Sequence, residues 1–502
     1  MFVRLKTLLF NVIIYGTGDV AVQLTGFLLL YFFTRLLTPA DYGVLSLLLT
    51  VELVVKILSR CGVDASFMRL YYDCHDERSR RRLASTLFFF LVAIDGVLLA
   101  AGLVAAPFIG RLLFGDSRFT LALMLVLANT FVAGFFFIPF HLLRIEKRAA
   151  QYSALTFSRS SGTLVLRIVL VLGLHLGVLG FILADVIMTA VFVGILARRF
   201  SSLLRPIFSR PVLAEALRFG LPRLPHGIAQ QVIGPGTDAA LLRAFLKAPN
   251  ALGQIGLYGL GAGLGLSLKL FLGAFEYAWA PFYCETMNQP DAKETFSRVA
   301  TYGLAILVLA TAGLSAISHD LVRMIMNPGY FRAADVIPWI AVGVSLQGVY
   351  LLTSIGLPIT KHTEYYPIAT GLAAGVNVSA NFLLIPRFGM LGPAYANVLS
   401  YAVLAAVAMT FSRRFYPIPY EWSRVARVVG AGVVAYVAAA FGPPALMWSP
   451  LGVLVRGSIV VFVYLGCLAL TGFLSRGERA KLAVLFARVR SAVGGQGKAA
   501  GV

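Results

Sequence analysis

The sequence predicts an all-α polytopic membrane protein of about 14 transmembrane helices: two six-helix lobes related by a pseudo-two-fold along the membrane normal, plus two C-terminal helices. Three observations lead there. Hydrophobic residues make up 59% of the 502, charged residues only 13%, and the mean hydropathy is +0.83, whereas soluble domains carry roughly a quarter charged residues. Apolar stretches of about 20 residues, the length a bilayer requires, follow one another along the whole chain. GVLGFILADVI at 177–187 also returns in register as GMLGPAYANVL at 389–399, with Gly177/Gly389, Leu179/Leu391, Gly180/Gly392, Ala184/Ala396 and Val186/Val398 identical. Internal duplication of this kind marks transporters, whose sites lie where the repeats meet. A buried soluble helical core is excluded, because so many spans of bilayer length leave too little polar surface.

In order, the spans read 8–33, 42–66, 83–107, 119–141, 153–174, 178–198, 214–241, 253–278, 298–318, 334–357, 365–385, 391–411, 424–443 and 451–474. MFVRLKTLLF imitates the start of a signal peptide, but its apolar run continues to about residue 33 with no A-x-A site, so it reads as an uncleaved first span. The repeat falls between spans five and six and again between eleven and twelve. Lys147 with Tyr152 likewise returns as Lys361 with Tyr366, and Pro39-x-x-Tyr42-Gly43 has a looser echo in Pro249 and Tyr258-Gly259. Six spans per half is an even number, so both halves start from one face and their axis runs along the membrane normal. The predicted organisation is a lobe over 1–199, a cytoplasmic linker over 200–213, a lobe over 214–412, two extra helices over 413–474 and a basic tail over 475–502. Leu482, Leu485, Phe486 and Val489 share one helical face of that tail, which reads as an anchor on anionic lipid.

The net charge of +21 would point to nucleic acid in a soluble protein. Here most of the Lys and Arg fall in loops on one side, which positive-inside bias identifies as the cytoplasm, with both termini. The expected location is the inner membrane, and no nucleic-acid partner is expected. The four cysteines lack C-x-x-C spacing and the six histidines lack ligand spacing, so no metal, cofactor or disulfide framework is expected. No loop is long enough to fold as a catalytic domain.

Chemistry must then come from ionisable residues inside spans, each of which costs about 2.5–3.5 kcal/mol at a helix centre and so normally faces a cavity or a partner. Glu52, Lys56, Arg60 and Asp64 follow at i, i+4 in span two and predict one charged helix face. Lys56 lies about 21 Å along the helix from Tyr42, and Lys269 in span eight about 17 Å from Tyr258. With Arg60 and with Arg223 of span seven, these lysines would make a cationic cavity between the lobes, suited to a phosphate-bearing substrate. An intrahelical ladder, Glu52–Lys56 and Arg60–Asp64, is the structural alternative. Asp19, Glu52, Asp95 and Asp238 are candidates for proton or cation coupling; Arg159 and Arg167 read as structural. Pro222, Pro225, Gly234, Pro235 and Gly236 interrupt span seven and predict a hinge. Asp185 and Asn397, paired in the repeat, read as shaping loops and helix contacts.

RLLTPADYGVLSL at 35–47, CGVDASFMRLYYD at 61–73, LLRIEKRAAQYSAL at 142–155, LRFGLPRLPH at 217–226 and NFLLIPRFGMLGPAYANVLSY at 381–401 resemble the polysaccharide (Wzx-type) flippase branch of the multidrug/oligosaccharidyl-lipid/polysaccharide exporter superfamily. The resemblance implies a non-enzymatic, two-lobed transporter working by alternating access. It would carry an undecaprenyl-pyrophosphate-linked oligosaccharide to the periplasmic leaflet for O-antigen, capsule or exopolysaccharide synthesis. Its partners would be that lipid-linked oligosaccharide, membrane lipids, and a polysaccharide polymerase and chain-length regulator, with the chain itself a monomer. The family's cationic cavity maps onto Lys56, Arg60, Arg223 and Lys269. Lipid II flippases share the plan but place arginines in the first span, and here nothing basic lies between Lys6 and Arg35. Multidrug exporters usually stop at twelve helices and take cationic drugs. A membrane glycan polymerase would need a large periplasmic loop, and an acyltransferase an intramembrane His with acidic or Asn partners.

Overall fold

The computed structural model describes residues 30–146, 148–200, 204–221, 224–234, 236–441 and 449–473. Asp19, Pro222, Arg223, Pro235, most of the first expected span and the tail from 475 lie outside them. Every regular element described is helical. Among the described residues, ten stretches are long and apolar enough to cross a membrane, or eleven when a helix pair bent by 46° is taken as one span.

A helix ending at residue 36 leads into α1, Pro39–Arg60. Thr38 caps α1 through a reciprocal box with Asp41, and Pro39 supplies the fixed φ of the first turn. α1 ends at Cys61 and Gly62, both in the left-handed region (φ 45° and 72°). Only glycine fits at 62, since a Cβ there would lie 2.3 Å from the Gly220 carbonyl oxygen. There follow α2 (Val63–Asp73), α3 (Glu77–Phe114), α4 (Thr120–Gly134), α5 (Phe137–Ile145), α6 (Ala149–Arg167) and α7 (Gly177–Phe200).

The expected seventh span does not form one helix. It is cut into α8 (Arg210–Gly220), α9 (Leu224–Ile233) and α10 (Asp238–Phe245). α8 packs on α2 through the Gly62–Gly220 contact and a 2.6 Å hydrogen bond from the Ser66 hydroxyl to the Ala216 carbonyl. The eighth is the bent pair α11 (Ala251–Gly265) and α12 (Leu268–Thr286). Further on come α13 (Ala292–Ile325), α14 (Ile337–Thr353), α15 (Tyr365–Phe388), α16 (Gly392–Phe415), α17 (Trp422–Ala440) and α18 (Pro450–Leu470). α15 and α16 run as one 51-residue stretch that turns at Gly389 (φ 56°).

By contacts the chain divides into two units. One holds Met1–Met287 and Val322–Pro417; the other holds Asn288–Leu321 and Ile418–Val502. The second unit has its own core of Ala305, Val428, Ala435, Val460 and Tyr464, closed by a Tyr464 hydroxyl donating to the Ala305 carbonyl at 2.8 Å. Its fully buried Asp320 meets Arg456 at 3.1 Å. Breaking such a buried pair by removing one partner costs about 3–5 kcal/mol. Arg456→Met should therefore lower the unfolding temperature in detergent, and Asp320→Asn with Arg456→Met should restore part of it. An unchanged midpoint in the single variant would contradict this.

Candidate functional site

Ionisable groups gather at two places in the larger unit, one on and around α1, the other at the break between α9 and α10. On α1, the Lys56 ammonium is ion-paired with Glu52 one turn earlier, and its side chain stays 45% exposed while Glu52 is 18% exposed. The expected four-residue face is shorter than predicted. The left-handed turn at Cys61–Gly62 ends α1 after Arg60, so Asp64 belongs to α2 and reaches Arg60 only at 3.8 Å. Asp64 instead shares His141 of α5, at 3.5 Å from Nε2. The His141 Nδ1–H donates to the Phe137 carbonyl at 2.9 Å, and Arg60 stacks 5.2 Å above the Phe137 ring. Asp95 of α3 is buried beside Ser59 and Arg60, against Gly134. His141 was invisible as a site member because it comes nearly eighty positions after Asp64.

Asp238 opens α10 and is fully buried. Its partners among the described residues are neutral. The Tyr258 hydroxyl donates to Asp238 Oδ2, and so does the Asn397 amide at 2.8 Å. Asn377 donates to Asn397 Oδ1 at 3.1 Å, and Asn381 to Asn377 Oδ1 at 3.0 Å. The second carboxyl oxygen, Oδ1, is buried with no hydrogen-bond partner among the described residues. Four helices thus converge on one carboxyl group: α10, α11, α15 and α16. Sequence reading singled out Asp238 but not Asn377 and Asn381, which carry no charge, and gave Asn397 only a shaping role. Asn397 does more than shape a helix contact, being part of the carboxyl's own shell. The repeat marked Asn397, which stands where the other half has Asp185, but nothing in it links Asn397 to Asp238.

Asp185 of α7 accepts from Arg167 of α6 at 2.7 Å, with both side chains about three-tenths exposed. Arg159, two turns earlier, lies 3.5 Å from the Thr189 hydroxyl and over the Phe136 ring. Lys269 sits in the first turn of α12, just past the bend, and has no ion-pair partner among the described residues. Glu276, two turns further along α12, is exposed; its spacing of seven from Lys269 was the available signal. Of the expected hinge residues described here, Pro225 lies inside α9, while Gly234 and Gly236 flank the break. The break touches α1: the Thr50 hydroxyl donates to the Gly236 carbonyl at 3.1 Å, and a Cβ on Gly236 would lie 2.8 Å from Leu53.

At its N-terminal end α1 packs on α11 backbone to backbone. A Cβ on Gly43 would lie 1.9 Å from the Leu252 carbonyl oxygen, and one on Gly256 would lie 1.9 Å from that of Pro39. The Tyr330 hydroxyl seals the same end by donating to the Leu37 carbonyl at 2.7 Å. These are the two segments that echo each other in sequence. Among the described residues no group of three or more His, Cys, Asp or Glu is placed to hold a metal ion.

The family described as polysaccharide biosynthesis protein matches residues 32–335, more than half of the chain. The probable low-salt glycan biosynthesis flippase Agl15 of Haloferax volcanii is 23% identical over 152 residues, 29% of this chain and 32% of that protein. The match therefore spans about a third of that curated relative. Among solved structures, the lipid II flippase MurJ in an inward closed conformation superposes with a TM-score of 0.67 at 12% identity, over 91% of this chain and 98% of that one. An inward-facing multidrug resistance MATE family transporter of the MOP superfamily gives 0.62 at 15% identity, over 80% and 95%. At these identities the likeness is one of fold.

Proposed function

The chain belongs to the polysaccharide biosynthesis protein family, in the polysaccharide flippase branch of the multidrug/oligosaccharidyl-lipid/polysaccharide exporter superfamily, and we propose that its cargo is an undecaprenyl-pyrophosphate-linked oligosaccharide. The sugar head group crosses through a cavity between two six-helix lobes while the prenyl chain stays in lipid. Lys56 and Lys269 bind the pyrophosphate, with Arg60 and Arg223 adding positive charge toward the cytoplasm. The protein acts as a monomer in the inner membrane, performs no covalent chemistry, and hands its cargo to a polymerase and chain-length regulator.

The observation that carries this reading is Lys56, a half-exposed cation deep in a membrane helix with a single carboxylate beside it. An unneeded charge there would be disfavoured by about 2.5–3.5 kcal/mol. The Glu52 contact supports the ladder reading of the lysine at rest, and an incoming diphosphate can compete for it through charge-assisted bonds. In the expected orientation, the glycine-packed ends of α1 and α11 are periplasmic, so this conformation opens toward the cytoplasm. Alternating access requires that contact to part, with the break between α9 and α10 as hinge. Asp238 couples the motion to a proton or a cation.

Lys56→Ala combined with Lys269→Ala should abolish surface glycan in cells that keep normal amounts of the protein in the membrane. Full export by that double variant would overturn the cavity assignment.

A further inference from the structure

A cleft of about 630 Å³ opens where the N-terminal ends of α1 and α11 meet, away from the charged face around Lys56. Among the described residues two arginines line it, Arg243 of α10 and Arg332 of the turn Pro328–Asp335, and no carboxylate does. Arg243 is fixed by its Nε–H, which donates to the Leu113 carbonyl, leaving its two terminal nitrogens without a partner among the described residues. Arg332 is exposed and has no ion pair among them.

The first turn of α11 contributes the rest of the wall. Its N-cap, Asn250, makes no capping bond; its side-chain oxygen accepts from the Gln254 amide at 3.2 Å instead. The Ala251 and Gln254 backbone N–H groups donate to the Ala248 and Asn250 carbonyls. Those of Leu252 and Gly253, which also line the cleft, donate to nothing among the described residues. The neighbouring end of α1 differs, being closed by its Thr38–Asp41 box, which occupies the nearest acidic side chain in sequence.

We propose that this cleft is a second anion site, taking the diphosphate of the lipid-linked glycan on the face where the cargo leaves. Two guanidinium groups can each bind phosphate oxygens bidentately, and free amides at a helix start add donors aimed at negative charge. The absence of a carboxylate in the wall leaves those cations uncompensated until an anion arrives. Volume favours a diphosphate with part of its sugar over a single small ion. Arg332 and Ala40 mark a place about 24 Å along α1 from Lys56, so the two cationic places are distinct stations. That the cleft lies on the exit face rests on the orientation proposed above; that it binds diphosphate does not.

The test is titration of the purified full chain with inorganic pyrophosphate by calorimetry, in detergent free of phosphate. In the Lys56→Ala with Lys269→Ala background, which removes the first phosphate station, saturable binding is expected to remain, and adding Arg332→Glu, or Arg243→Gln with Arg332→Gln, is expected to weaken it at least ten-fold. Arg332 is exposed, so its charge reversal tests the site even where the double arginine variant fails to fold. Binding that is absent from that background, or unaffected there by Arg332→Glu, overturns the proposal. A second arm adds phosphatidylglycerol vesicles as competitor. Displacement of pyrophosphate by lipid at equal phosphate concentration would make the cleft a lipid-headgroup site and overturn the diphosphate assignment. Failure of the lysine variants to stop export would leave these results standing, so the two readings fail separately.

Discussion

Gly256→Ala should reduce glycan export about five-fold or more, while Gly263→Ala on the same helix leaves it unchanged. Both residues lie in α11, so helix propensity and membrane insertion are matched between them. They differ in what a methyl group would meet. At 256 it would sit 1.9 Å from the Pro39 carbonyl oxygen and 2.8 Å from the Gly43 nitrogen; at 263 nothing lies within 4 Å. The obstacle at 256 is backbone, which cannot swing aside as a side chain can, so the ends of α1 and α11 must separate. Overpacking of this kind costs about 1–3 kcal/mol, and a differential cost of that size shifts a two-state equilibrium about five- to 150-fold. The closed arrangement is the state that loses, because the open one no longer brings the two backbones together. Export measured by surface glycan, with membrane levels of each variant matched, reads the effect. Equal export by the two variants would mean that this contact does not part and re-form during transport.

That contact illustrates what the sequence could and could not reveal. The echo of Pro39-x-x-Tyr42-Gly43 in Pro249 and Tyr258-Gly259 pointed to matching places in two halves, yet nothing in a repeat says that its copies touch. Hydropathy located nearly every apolar stretch, because burial in lipid leaves a signal averaged over twenty residues. Local breaks leave no such average. Cys61–Gly62 is an ordinary pair in an apolar run, and α1 ends there because Gly62 must approach Gly220, a partner more than 150 positions away. The charged pair Glu52–Lys56 was legible from i, i+4 spacing alone, since both residues lie on one unbroken helix. His141 and the shell of Asp238 were not, being assembled from separate helices, and neutral asparagines do not stand out in a search for charge.

The Asp238 shell leads to the other large effect: Asp238→Asn should abolish the response of transport to an imposed ion gradient and lower export at least ten-fold. The substitution keeps shape and volume but removes the ability to ionise. A carboxyl group held by Tyr258 and Asn397, with Asn377 behind them and Oδ1 unpartnered, has no cationic side chain to neutralise it among the described residues. A bare buried carboxylate is strongly disfavoured, so the group has to take up a proton or a cation, and releasing that charge would unsettle every helix that donates to it. The consequence can spread, because Asp238 begins the helix that follows the break, and Gly236 within that break is hydrogen-bonded to Thr50 of α1. Two residues further along α1 the Glu52–Lys56 pair begins. Loading of Asp238 would thus bias the position of the helix that carries the proposed phosphate ligand. The measurement is flipping in proteoliposomes under a proton gradient, a sodium gradient, or neither. Wild type should respond to one of the two, which identifies the coupling ion, and Asp238→Asn to neither. Tyr258→Phe, which deletes one donor and leaves the carboxyl, should keep the response with altered rate. A variant Asp238→Asn that still follows the gradient would move the coupling site elsewhere, with Asp95 the next buried carboxyl to test.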